Sequence, residues 1–270
     1  MNLNKKALNQ FPRSLRKLLA FLEPDGGGLF MTLATFLHLE VLVTRPYNPC
    51  KSLLGGDTMD SLGALSHLRS CSVEGYQLGS GIQASLDTML SHSAERISAL
   101  HLCFDECIDM HSLLGLHKFS SLLALSLESV NYSTLMMGCD PLENLQTLRL
   151  THIDGMWRTL ANPRNPLSAC FKRLTSLELA DFFFSEPERR EGWLAIERLG
   201  ELTQLKKLHL MVLQEEDPES SCNMDSALPR DEDAIWCLFC ALANTLVTFS
   251  EMPNGVDHDC WVRSFCGLAV

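Results

Sequence analysis

The apolar positions of the chain recur three apart and then two apart, most plainly in Leu142-Glu-Asn-Leu145-Gln-Thr-Leu148-Arg-Leu150-Thr-His-Ile153. Leu148 and Leu150 alternate as a half-buried strand does, because successive strand side chains point to opposite faces. Leu142 and Leu145 keep a spacing of three, as the end of a turn or helix does. Seven copies of this template align. The first apolar column reads Phe36, Leu65, Ala94, Phe119, Leu142, Phe171 and Leu202. The second reads Leu39, Leu68, Ile97, Leu122, Leu145, Leu174 and Leu205. Leu42, Cys71, Leu100, Leu125, Leu148, Leu177 and Leu208 form the third, and Thr44, Val73, Leu102, Leu127, Leu150, Leu179 and Leu210 the fourth. An eighth, weaker copy runs Ala243, Leu246, Phe249, Glu251, and a ninth begins the chain with Leu15, Leu18 and Ala20. At the third column the copies are spaced 29, 29, 25, 23, 29, 31 and 41 residues apart.

This period and this Leu pattern resemble those of the leucine-rich-repeat family, and the likeness covers nearly the whole chain. It implies an α/β fold: a leucine-rich-repeat solenoid of about 8–9 irregular repeats, with a parallel concave sheet and helices or loops on the convex side. One column departs from the family. Five residues after the third Leu, where many such proteins carry Asn or Cys, stand Tyr47, Tyr76, Asp105, Val130, Ile153, Phe182 and Leu213. Hydrophobic contacts are therefore expected to pack the convex side in place of an asparagine ladder. Phrases such as LSHSAERISALHL and FKRLTSLELADF look like the repeat regions of F-box/LRR-like proteins common in fungi. That likeness implies substrate recognition for an F-box-type ubiquitin ligase. No F-box helical segment is found, so a cullin-type ligase adaptor is expected as a partner only where an F-box is supplied elsewhere.

The segments between the strands follow from local chemistry. Residues 12–22 read as a short amphipathic helix or a degenerate first repeat, and Pro24-Asp-Gly-Gly-Gly28 as a turn. Pro46 and Pro49 forbid helix after the strand around Leu42. Helical stretches are predicted over about 58–67, 81–92 and 109–118. Ser185-Glu-Pro-Glu188 has capping-box spacing with Pro in the first turn, and leads into an apolar stripe of Trp193, Leu194, Ile196 and Leu199. A helix is predicted over about 232–243 and a terminal cap over 256–268. The whole chain, 1–270, is one domain by this reading. It comprises an N-terminal cap or degenerate repeat (1–32), regular repeats (33–213), an acidic flexible loop (214–233), and a last repeat with its cap (234–270).

Composition sharpens the picture in three places. The net charge of −11 argues against a nucleic-acid partner, which would need a basic patch. Residues 215–233 hold eight acidic side chains and one Arg, which accounts for most of that charge and marks the segment as a solvated insertion. No run of apolar residues is long enough for a membrane span, and no signal peptide is evident. Eleven cysteines without a secretion signal point to reduced thiols in a cytoplasmic or nuclear setting. Several occupy positions for a small hydrophobe, as Cys71 does in the third column.

Two groups have metal-ligand residue types: His101, Cys103, Cys107 and His111, and Cys237 and Cys240 with His258, Cys260 and Cys266. In the first, Cys107 and His111 are expected in a loop and the following helix; in the second, Cys237 and Cys240 are expected in an apolar helix. Ordinary packing is the expectation for both, with no metal and no cofactor. No Ser/His/Asp set, Gly-rich nucleotide loop or spaced carboxylate pair stands out, so the chain reads as a non-enzyme. The expectation that remains is a surface. The central outward row of the strands reads Val43, Ser72, His101, Ser126, Arg149, Glu178 and His209, with smaller residues on the row before it. The row after it carries Arg45, Glu74, Cys103, Glu128 and Thr151. A protein partner is expected on this concave face, touching His101, Ser126, Glu128, Arg149, Thr151, Glu178 and His209. The expected function is a protein-protein interaction module; the alternative is a structural or degenerate repeat fragment with no dedicated ligand or ligase link.

Overall fold

The structure is a computed structural model. It describes residues 2–3, 5–22, 32–46, 53–54, 61–78, 92–109, 119–131, 142–154, 160–163, 167–182, 189–212 and 248–251. Its strands are β1 (Asn2–Leu3), β2 (Lys17–Leu22), β3 (Val41–Pro46), β4 (Leu53–Leu54), β5 (Ser70–Leu78) and β6 (Ala99–Asp109). They continue as β7 (Ala124–Asn131), β8 (Thr147–Asp154), β9 (Ser176–Phe182), β10 (Lys207–Val212) and β11 (Thr248–Glu251).

A single open sheet holds them in chain order, β1-β2-β3-β5-β6-β7-β8-β9-β10-β11, with β4 paired to β5 off this path. Each pairing is parallel. A parallel sheet in which each strand lies beside the next is what stacked repeats produce, and the fold is an α/β solenoid-like one. Residues 12–22 contribute a strand and not a helix, with Leu18 opposite Leu42 and Ala20 opposite Thr44. The weak eighth copy also falls in register, Phe249 opposite Leu208 and Glu251 opposite Leu210.

The spacing of three has a direct physical origin. The N–H of Leu39 donates to the carbonyl of Phe36, and Leu68 to Leu65, Leu122 to Phe119, Leu145 to Leu142, Leu174 to Phe171 and Leu205 to Leu202. These turns, bonded three residues apart, place the first two columns on one side, facing the core. The chain then straightens, and one residue before each strand starts a ladder from repeat to repeat. Glu40 N–H donates to Arg16, Arg69 to Glu40, Ser98 to Arg69, Leu123 to Ser98, Gln146 to Leu123, Thr175 to Gln146 and Lys206 to Thr175, all at 2.8–2.9 Å.

All four columns are buried in one apolar cluster, apart from Leu142, which is half-buried against it, and Thr44, which is buried but polar. A further column that the template left out lies behind the first. Leu33, Leu62 and Leu199 sit three residues before Phe36, Leu65 and Leu202, and all are buried. Burial pushes the Cys71 thiol up to about 12, which suits a side chain that fills a Leu position. Cys71 is a free thiol.

Behind β8 and β9 the core is closed by helical segments. Leu148, Leu150, Leu177 and Leu179 enclose a void of about 10 Å3 together with Leu160, Leu167 and Leu199. The helix Arg189–Arg198 lies on this side. Among its described side chains the buried positions are Gly192, Ala195 and Ile196, continued by Leu199, the 3-4-7 spacing of a single helix face. Leu194 lies off that face and is 43% exposed, which corrects the predicted stripe. Arg198 joins three segments here. Its Nε donates to Glu201 Oε1 at 2.8 Å, and its Nη1 to the carbonyls of Leu160 (2.6 Å) and Asn162. Glu201 Oε2 in turn accepts the Leu167 N–H at 3.1 Å.

β6 runs on to Asp109, so the predicted helix over 109–118 does not start there and Cys107 lies on a strand and not in a loop. The rest of that stretch lies outside the described residues, as do the Gly26–Gly28 turn, residues 81–91, the Ser185–Glu188 capping box, the acidic segment 214–233, and 232–243 and 256–268. The side chains of Tyr47, Tyr76, Asp105, Val130, Ile153, Phe182 and Leu213 are outside them too. Among the described residues no helix is long and apolar enough to cross a membrane.

Candidate functional site

Because side chains alternate along a strand, burying Leu148 and Leu150 turns Thr147, Arg149 and Thr151 to the other face of the sheet. Register carries the pattern across neighbouring strands: Ser72, His101, Ser126, Arg149, Glu178 and His209 stand opposite one another in sequence. This face is hollowed into an open groove of about 580 Å3 that crosses β3 and β5–β9. Its floor is small, with Ser70, Ala99, Ala124, Thr147 and Ser176 on the row before the central one. Charged and polar side chains rise from the other rows.

Four of those charges are arranged in two pairs, Arg45 with Glu74 and Arg149 with Glu178. Arg45 Nε forms an ion pair with Glu74, and Glu74 also accepts a hydrogen bond from the Ser72 hydroxyl at 2.6 Å. His101 Nε2 lies 3.6 Å from Glu74 Oε1. Burial alone would raise the Glu74 carboxyl, but the Ser72 hydroxyl and the Arg45 guanidinium outweigh it and hold the group below its ordinary value of 4.5. His101 moves the same way for a different reason. Burial lowers it below 6.5 and Arg149 adds to this, while the carboxylates of Glu74 and Glu128 pull the other way. Further along, Arg149 Nε stands 3.0 Å from Glu178 Oε1, and Glu178 Oε1 lies 4.0 Å from His209 Nδ1.

Of the residues predicted to meet a partner, the groove gathers His101, Ser126, Glu128, Arg149 and Glu178. His209 lies beyond its lining, next to Glu178. Thr151 sits between Glu128 and Ala180 in the sheet and is only 4% exposed. The groove opens from β3 onwards, earlier along the chain than His101, the first of the predicted contacts. Arg45 and Glu74 belong to it and were not among the predicted contacts. The signal for them was present, since opposite charges at one row position on adjacent strands attract as cross-strand pairs do.

His101 and Cys103 both lie in the groove, as two of the four residues of the first metal-type group. His111 of that group lies outside the described residues, as does the whole second group from Cys237 to Cys266. Among the described residues no three His, Cys, Asp or Glu side chains are grouped as metal ligands. No family model matches the chain, and no curated protein matches its sequence.

Proposed function

We propose that the chain is a leucine-rich-repeat solenoid that works as a protein-protein interaction module, not as an enzyme, and that a partner protein lies in the groove. The observation that carries this reading is the groove itself, open across six strands and lined by paired charges over a floor of small side chains. Six strands at about 4.8 Å each span roughly 24 Å between the outer two, longer than most small molecules and suited to a stretch of polypeptide. Paired charges lining such a surface give orientation and selectivity more than raw affinity. For the partner, the resemblance to F-box/LRR-like proteins points to a substrate delivered to a ubiquitin ligase. A cullin-type adaptor would join only through an F-box supplied elsewhere, and the setting would be cytoplasmic or nuclear.

The test is affinity purification from the native cell with the wild-type chain and with Ala124→Trp, which fills the groove floor. Proteins captured by the wild type and lost with the variant support the reading. Equal capture by both, with the variant folded as judged by its melting temperature, leaves the alternative of a structural repeat without a dedicated ligand.

A further inference from the structure

The charges that line the groove do not balance. Two guanidiniums, Arg45 and Arg149, face three carboxylates, Glu74, Glu128 and Glu178. Glu74 is bonded to Arg45 and Ser72, and Glu178 is paired with Arg149. Glu128 has no ion-pair or hydrogen-bond partner among the described residues, and it acts on His101 only through its charge. It is half-buried at the middle of the groove, on β7. A carboxylate there is partly withdrawn from water and has no bonded partner of its own, and a ligand cation would supply one.

The same face changes character towards β2. On the central row, Leu19 and Val43 precede Ser72 in register, and Leu19 is 68% exposed. From Leu19 to Glu128 is four strand steps sideways and two residues along, or about 20 Å, the reach of about six extended residues.

We propose that the groove takes an extended, cationic segment of a partner protein, with a Lys or Arg on Glu128 and a large apolar side chain about six residues away on Leu19 and Val43. This rests on the reading of the groove as a partner-binding surface, and adds the chemistry of what binds. The segment crosses the strands. Its cation completes the groove carboxylate that has no bonded partner among the described residues, and its apolar end covers Leu19 and Val43.

A random dodecapeptide display library, panned against the full chain, tests both levels. The expected result is enrichment of peptides that carry Lys or Arg about six positions from a large apolar residue. Synthetic copies should bind Glu128→Gln about tenfold or more weakly than wild type, since a charge-assisted hydrogen bond is lost. They should also weaken on Leu19→Ser, and their affinity should fall as salt rises. Ala124→Trp and Ser126→Trp, each checked for an unchanged melting temperature, report whether a peptide sits in the groove. Peptides blocked by these two variants but lacking a basic residue, or indifferent to Glu128→Gln, overturn the inference and leave the groove reading standing. Peptides indifferent to both groove-filling variants, or a library that yields no binder, overturn both.

Discussion

Arg149 and Glu178 face each other across β8 and β9 with Nε and Oε1 3.0 Å apart, yet the two side chains are 44% and 34% exposed. A pair so open to water contributes only about 0–1 kcal/mol to folding, because water screens the charges and two long side chains lose freedom. Its position on the groove, and not its energy in the free protein, is what gives it consequence. Arg149→Ala and Glu178→Ala should each change the unfolding free energy by no more than about 1 kcal/mol in urea titrations. Each should weaken capture of a groove-bound partner by at least ~1 kcal/mol. Normal binding by both variants, with loss in a variant of the opposite face, would place the partner elsewhere.

The opposite outcome is expected one residue away. Leu148 is buried between Leu125 and Leu177 in the third column, so truncation to Ala removes core contacts on both sides. Leu148→Ala should cost about 2–5 kcal/mol, read from the urea midpoint at unchanged slope. Ser126→Ala, on the outward row, should stay within about 0.5 kcal/mol of wild type. Similar costs for the two would contradict the division of the sheet into a buried and an outward face.

A third prediction concerns the back of the sheet. Arg198 is 15% exposed and bonds Glu201 and the carbonyls of Leu160 and Asn162, so it holds together pieces that sequence separates by more than thirty residues. Arg198→Met keeps much of the stem but strands the carbonyls and the Glu201 carboxylate. The expected loss is about 2–3 kcal/mol, of the order of one or two hydrogen bonds to a charged group. Arg198→Lys should recover only part of it, because an ammonium cannot reproduce the planar fork. Neither variant should alter groove binding at a temperature where both are folded.

The buried columns and the register were legible in the sequence for one reason. Leu148 and Leu150 must both face the core, and a one-residue slip against Leu177 and Leu179 would turn either pair to solvent. Even the degenerate copies around Leu18 and Phe249 fall in the same register. What the sequence left open or missed was local and depended on neighbours. Residues 12–22 have an apolar spacing that a helix or a strand could satisfy, and pairing with β3 decided for the strand. Leu194 lost its predicted place to Ala195, because packing behind the sheet selects a helix face and not the largest side chain. In the groove, the alternation of strands told which residues share a face, and so reached His101, Glu128, Arg149 and Glu178. It could not tell that Thr151 is covered, nor that the groove opens as early as Arg45, since both depend on how side chains lie across several strands.

The last prediction is a pH dependence with two windows. Burial holds His101 below 6.5 in the folded chain, although Glu74 at 3.6 Å and the more distant Glu128 oppose it, and Arg149 and Arg45 reinforce it. Between the folded value and 6.5 the unfolded chain therefore binds more protons than the folded one, and stability rises with pH there. Above 6.5 the contribution of His101 is constant; as pH falls below 6.5 stability is lost until the folded value is passed. Glu74 acts in the same direction lower down. Its folded value lies below 4.5, so the stabilisation from Ser72 and Arg45 is present above 4.5 and is lost as pH falls through that folded value. Urea midpoints followed from neutral pH downwards should show the wild type losing stability relative to His101→Gln first. Relative to Glu74→Gln it should lose stability only in the acidic window. Proton chemical shifts of His101 should place its titration below that of a histidine in the unfolded chain. A wild-type advantage over His101→Gln that grows as pH drops below 6.5 would mean that Glu74 and Glu128 outweigh burial, and would reverse the sign for this residue.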